Sequence, residues 1–176
     1  MKGGYRALAV AAALAYLLSP NYYVRYEVAY IAAASLAVLG VVTLLNAGLV
    51  NFSYGMYVAV GAYTAALLYK YAGVKELAVA LPLSIALGAA VELGVGSLTG
   101  GVRGIFYALL NLSLAMVLYG ALVKFYNLTG GSDGVSVPIY TILGARLGLD
   151  GLFALSLAAA AAAAALRYFY VETALY

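Results

Sequence analysis

Side chains able to do chemistry are few in this sequence, and they stand singly. Glu92 lies inside a long apolar run. A carboxylate in hydrocarbon costs about 2.5–3.5 kcal/mol on insertion scales, which makes an intramembrane acid a candidate ion or proton site. Glu92 also lies about 10 Å from Thr99 by helix rise. At that depth it can instead reach interfacial water or pair with Arg103. Asn46 and Asn51 fall in Asn46-Ala-Gly-Leu-Val-Asn-Phe-Ser-Tyr-Gly55, a polar interruption between apolar stretches. Such a break is either a re-entrant segment lining a cavity or a loop whose asparagines cap helix ends. Asn111 and Ser113 lie within another apolar run. There they bond a substrate or a neighbouring helix. Thr129, Gly130, Gly131, Ser132, Asp133 and Gly134 form a glycine-rich stretch inside a long loop. Its glycines permit positive φ, and successive N–H groups can cradle an anion. No Gly-Lys-Ser/Thr follows, so it is not a phosphate loop, and it lacks calcium-loop spacing.

Several chemistries are excluded outright. The chain has no His and no Cys. That removes the commonest general base and metal ligand, and any thiol nucleophile. With acids scattered singly, no catalytic constellation forms, so the chain is read as no enzyme, with no cofactor and no metal site. The net charge is +3, but no basic block exists, and nucleic acid is not an expected partner.

The elements that position these groups follow from composition. Of 176 residues, 67% are apolar types and only 9% are charged. Mean hydropathy is +1.05. A soluble domain of this size cannot bury so much apolar surface. The expected fold is all-α: a single polytopic helical domain over residues 1–176, with the bilayer as its solvent. A helix crosses hydrocarbon in about 20 residues. Six apolar stretches meet that scale: Tyr5–Ser19, Tyr26–Leu45, Ser53–Tyr71, Leu77–Leu98, Ile105–Tyr126 and Gly151–Phe169. The segment near 46–55 is the broken or re-entrant candidate. The first stretch follows Lys2 and Arg6 and resembles a signal peptide, but no small-x-small cleavage site follows, so a retained helix is expected. Continuous runs exclude a membrane β-barrel, which needs short alternating segments.

Tyrosines near the ends of the runs, among them Tyr22, Tyr23, Tyr69, Tyr71 and Tyr126, fit an interfacial belt. Gly61, Ala62, Ala65 and Ala66 give one helix a small-residue face for close packing. The eight alanines Ala158–Ala165 are strongly helix-forming. Orientation is nearly balanced. Lys2, Arg6, Arg103 and Arg167 fall on one side, against Arg25, Lys70, Lys75, Lys124 and Arg146 on the other. The first helix often dominates, which argues for cytoplasmic termini in the cell membrane.

Three ordered segments carry a resemblance. They are Asn51-Phe-Ser-Tyr-Gly55 with Gly61-Ala-Tyr-Thr-Ala-Ala-Leu-Leu68, then Val102-Arg-Gly-Ile-Phe-Tyr-Ala-Leu-Leu110, then Leu128-Thr-Gly-Gly-Ser-Asp-Gly134. Together, over roughly residues 30–140, they resemble the permease subunits of branched-chain amino acid ABC importers. The resemblance implies a membrane half of an ATP-driven importer for branched-chain amino acids or a related small amide. It implies alternating access, two cytosolic ATPase subunits, a second permease subunit and an extracytoplasmic substrate-binding protein. ATP would be bound by the partners, so no nucleotide motif is expected here. Relatives are usually longer, so the chain matches the N-terminal part of a permease. The missing C-terminal half would then come from a separate chain, unless the chain is a fragment or relic. Tyr54, Met116 and Gly101 stand where members often carry His, Glu and a basic residue. On this reading Asn46, Asn51, Tyr63, Asn111 and Ser113 line the cargo pathway. Two other classes stay open: a self-sufficient channel or ion-coupled carrier using Glu92, and a membrane scaffold without transport.

Overall fold

The computed structural model describes residues 21–137, 139–142 and 144–174. The expected helix at 5–19 lies outside the described residues. In chain order the helices are α1 (Tyr22–Asn46), α2 (Tyr54–Ala72), α3 (Leu77–Thr99), α4 (Ile105–Lys124), the single turn α5 (Tyr126–Thr129) and α6 (Leu149–Ala174). A 3₁₀ turn at Gly131–Asp133 and a small hairpin of β1 (Thr141–Ile142) and β2 (Ala145–Arg146) complete the fold. Thr141 pairs with Arg146 and Ile142 with Ala145, antiparallel.

Among the described residues, four helices are long and apolar enough to cross a membrane: α1, α3, α4 and residues 149–169 of α6. Between 11% and 17% of the most apolar window of each is buried within the protein. The remainder faces outward with side chains such as Leu93, Phe106 and Val117, each at least 69% exposed. Apolar surface on that scale fits contact with lipid tails rather than water. The α2 helix, read from the sequence as a span, has 19 residues. It is long enough but less apolar, because tyrosines, glycines and Lys70 dilute its aliphatic residues.

The chain divides into two compact units. One holds nearly all of α1 together with α6. Its core is Ala29, Ala32 and Phe153, with Val28, Leu149 and Leu157 packed around them. Alanines let the helices approach, and Phe153 fills the space they leave. Arg25 and Asp150 stand 3.9 Å apart at the rim, with side chains 38% and 80% exposed. An ion pair this open adds little stability. Hydroxyls inside these helices bond back to their own turns, as Thr43 does to the Leu39 carbonyl at 2.7 Å. That arrangement satisfies a polar group where water is absent.

The second unit spans residues 44–146. Its most extensive helix pairing is α2 with α3. The expected small-residue face is used here. Ala66 and Ala80 are buried, and the Ser84 hydroxyl donates to the Gly61 carbonyl at 3.1 Å. Gly73 ends α2 in the left-handed conformation, φ 64°. Its N–H returns to the Tyr69 carbonyl and that of Val74 to Leu68, the usual glycine stop of a helix. Pro82 sits inside α3. It removes one N–H and frees the Ala78 carbonyl four residues back.

The hairpin is held by a residue from a distant part of the chain. Glu76, just before α3, accepts from the Thr141 hydroxyl at 2.8 Å and from the Gly144 N–H at 3.1 Å through one carboxylate oxygen. The Thr141 N–H also donates to the Lys75 carbonyl at 2.8 Å. The Tyr140 hydroxyl donates to the Ala65 carbonyl at 2.8 Å. Burial pushes the Tyr140 phenol above its ordinary pKa, so it stays a donor across the neutral range. Glu76→Ala is expected to cost about 1 kcal/mol at this partly open position and to speed hydrogen exchange at the Gly144 amide. Glu76→Gln keeps an acceptor and should leave that amide protected.

Candidate functional site

The bend between α1 and α2 builds the site. Residues 47–53 are non-helical. Gly48 adopts φ 76°, the left-handed conformation that glycine tolerates in a turn. Asn51 then folds its side chain forward, and its Oδ1 accepts from the Ser53 N–H at 2.6 Å. This Asx turn aims the chain into α2. Ser53 is the residue before the helix, yet its side chain makes no cap. The hydroxyl instead turns to Asn51 Oδ1 at 2.6 Å, with Asn111 Oδ1 at 3.5 Å. One hydroxyl carries one proton, so the shorter contact takes it and Asn111 Oδ1 is only weakly engaged.

Asn111 comes from the second turn of α4. It is fully buried, at 0% exposure, and Ser53 is at 1%. Asn111 Nδ2 donates to the Tyr107 carbonyl one turn back at 3.0 Å. A polar seam thus joins the bend before α2 to α4 at the centre of this unit. Asn51, Tyr107 and Thr99 are buried as well. Thr99 closes the end of α3 by donating to the Val95 carbonyl at 2.9 Å.

Donors remain unused in this seam. Asn51 Nδ2 makes no hydrogen bond among the described residues. The Tyr57 hydroxyl is buried and also closes none. Its polar neighbours are the Glu92 carboxylate, Ser53 and Tyr107. Burying a hydroxyl without a partner costs on the order of 1–3 kcal/mol. The cluster therefore brings together two amides, two hydroxyls and a half-buried carboxylate. It holds no nucleophile paired with a base.

The sequence-derived candidates separate in three dimensions. Asn51 and Asn111 meet through Ser53. Asn46 lies exposed at the end of α1. Ser113 is exposed and donates to its own Leu109 carbonyl at 2.9 Å. Two positions along a helix turn a side chain to the far face, so Asn111 and Ser113 do not act together. Tyr63 lines a different recess of about 430 Å³, walled by Thr64, Leu67, Leu83, Leu87 and Leu118. Glu92 faces Tyr57, and among the described residues it forms no ion pair with Arg103.

The glycine-rich stretch is a tight corner rather than an open nest. Thr129 is buried, and its hydroxyl oxygen accepts from the Gly131 N–H at 3.2 Å while donating back to the end of α4. Asp133 accepts from the Tyr126 hydroxyl at 2.9 Å. Gly130, Gly131 and Gly134 all have positive φ. Lys70 reaches across from α2 and donates to the Asn127 and Leu128 carbonyls at 3.2 and 3.1 Å.

Sequence reasoning did not single out Ser53 or Tyr57. Their spacing, four residues apart across the start of a helix, puts them on one face. That signal was hidden because tyrosine occurs 18 times. Comparison of the chain with known protein families, with characterised proteins and with solved structures gives no match.

Proposed function

We propose that this chain is a membrane transport subunit, part of an ATP-driven importer for branched-chain amino acids or a related small amide. The observation that carries the reading is the buried seam Asn51–Ser53–Asn111, with spare donors at Asn51 Nδ2 and the Tyr57 hydroxyl. A polar cargo leaving water loses its hydrogen bonds and must be offered others. An amide offers both a donor and an acceptor, as does the backbone-like end of an amino acid. The ordered resemblance at residues 51–68, 102–110 and 128–134 supports the importer class. On this reading cytosolic ATPases, a second permease, a chain completing the permease and a binding protein are partners. The termini lie in the cytoplasm, and differential contacts bias outward and inward states.

A second reading rests on Glu92 beside Tyr57. A half-buried carboxylate next to a buried hydroxyl is the arrangement a proton- or cation-coupled carrier would use. One experiment separates the two. The tagged chain is isolated from its native membrane, its partners are identified by mass, and uptake is measured in vesicles of that membrane. Under the importer reading an ATPase and a second permease chain co-purify. Uptake then needs ATP and requires no ion gradient. A lone chain with uptake driven by an ion gradient and lost in Glu92→Gln establishes the carrier. A lone chain with no uptake in either form overturns both and leaves a scaffold.

A further inference from the structure

A cleft of about 730 Å³ opens beside the glycine corner, lined by Tyr69, Lys70, Gly73, Lys75, Gly130 and Ser136 among others. It lies away from the seam of Asn51 and Asn111 and plays no part in the transport reading. Among the described residues, two ammonium groups border it and no acidic residue does. The two carboxylates nearest in sequence are engaged elsewhere: Glu76 holds the hairpin and Asp133 accepts from Tyr126. Neither lysine forms an ion pair among the described residues.

The two lysines are held to different degrees. Lys70 is fixed by the Asn127 and Leu128 carbonyls, with Nζ 5.4 Å from the centre of the Tyr71 ring. Two of its three protons are thereby used, and one is left. Lys75 Nζ stands 5.7 Å from the centre of the Tyr69 ring. An aromatic face orients a cation without neutralising it. Gly73, Gly130 and Gly134 carry no side chain to fill the space, Val135 adds an apolar wall, and Ser136 adds a hydroxyl. The position matters too. Lys70 sits in the last turn of α2 among Tyr69, Tyr71 and Tyr126, the composition of a membrane–water interface.

We propose that this cleft binds a phosphate-bearing anion, through Lys70 as an anchored positive charge, Lys75 as a second, freer one, and Ser136 as a neutral donor. Lysine binds phosphate as a point charge, and two unneutralised ammoniums bordering one concave site favour a compact anion over diffuse surface attraction. The same chemistry occurs in an anionic lipid headgroup and in free phosphate.

The test uses the full chain in nanodiscs. One arm measures retained phosphatidylglycerol against phosphatidylcholine by native mass spectrometry. The other titrates inorganic phosphate in phosphatidylcholine discs by phosphorus NMR. Lys75→Gln removes a charge that makes no hydrogen bond. Lys70→Gln keeps an amide donor for the 127–128 carbonyls. Arg103→Gln, before the opposite end of α4, is the charge-matched control. Binding is expected to fall about fivefold in Lys75→Gln and more than about tenfold in the double variant, and to be unchanged in the control. Loss in the lipid arm alone assigns a headgroup, and loss in the phosphate arm assigns a free anion. If neither arm responds to the lysines, or the control lowers binding equally, the proposal is overturned.

Discussion

Alanine at Gly130 is expected to break the corner that closes α4, at a cost of more than about 3 kcal/mol. Gly130 has φ 73° and ψ 3°. An added Cβ would sit 2.0 Å from the Gly134 carbonyl oxygen and 2.8 Å from its carbon. No side-chain rotation relieves that contact, because both atoms are backbone. Two other glycines separate the clash from the dihedral. Gly73 also has positive φ, but nothing lies within 4 Å of its Cβ position. Alanine there pays only the left-handed backbone, about 1–2 kcal/mol. Gly134 has φ 71° and ψ −169°, a region almost closed to other residues, again with free space around it. The expected order of loss is Gly130→Ala, then Gly134→Ala, then Gly73→Ala. Thermal unfolding in detergent with limited proteolysis across residues 127–137 reads it. Equal loss in Gly130→Ala and Gly73→Ala would show that the corner yields and the clash is relieved by a shift.

Much of this architecture was legible from composition and run length. Continuous apolar stretches gave α1, α3, α4 and α6, because helix length in hydrocarbon depends on little else. Asn46 was one of two asparagines that could cap a helix end, and it does lie at the end of α1. The glycine cluster at 130–134 was recognisable as a special turn, but not as a closed one. Its closure depends on Thr129 and on Lys70, which is more than 50 positions away. The same limit applies to Glu76. A lone acid at a helix start has many roles, and its partners Thr141 and Gly144 lie 65 and 68 residues on. Within the site, both buried amides were legible, since an asparagine inside an apolar run is conspicuous. Tyr57 was not, because it looks like any other tyrosine until the fold withholds a partner from its hydroxyl. Glu92 was conspicuous for the same reason as the amides. Its neighbour turned out to be a phenol on α2 instead of a guanidinium, because packing of α3 against α2 fixes which face it presents.

Leucine at Asn111 provides the sharpest separation of binding from stability. The side chain is fully buried, close in size to leucine, and its only strong bond is to the Tyr107 carbonyl. Within α4 that carbonyl also takes the backbone N–H of residue 111 in the ordinary helical pattern, so it is not orphaned by the change. Ser53 keeps Asn51 Oδ1 at 2.6 Å. Replacing a buried amide by an apolar group of similar shape is then close to neutral for folding, and unfolding temperature is expected to stay level or rise. If the chain is the transport subunit proposed above, uptake is expected to behave differently. A site that matches polar groups of its cargo rejects or passes it by unpaired hydrogen bonds, worth about two orders of magnitude or more. Asn111→Leu in the complete complex should therefore lose about a hundredfold in uptake rate with normal assembly, and Asn51→Leu should disturb folding first, because Asn51 shapes the bend before α2. Alanine at Asn111 is the weaker probe, since it adds a cavity to the lost amide. If Asn111→Leu carries cargo at the native rate, the amide serves only to join α4 to the bend. The cargo path must then be sought elsewhere, with the Tyr57–Glu92 contact the next to mutate.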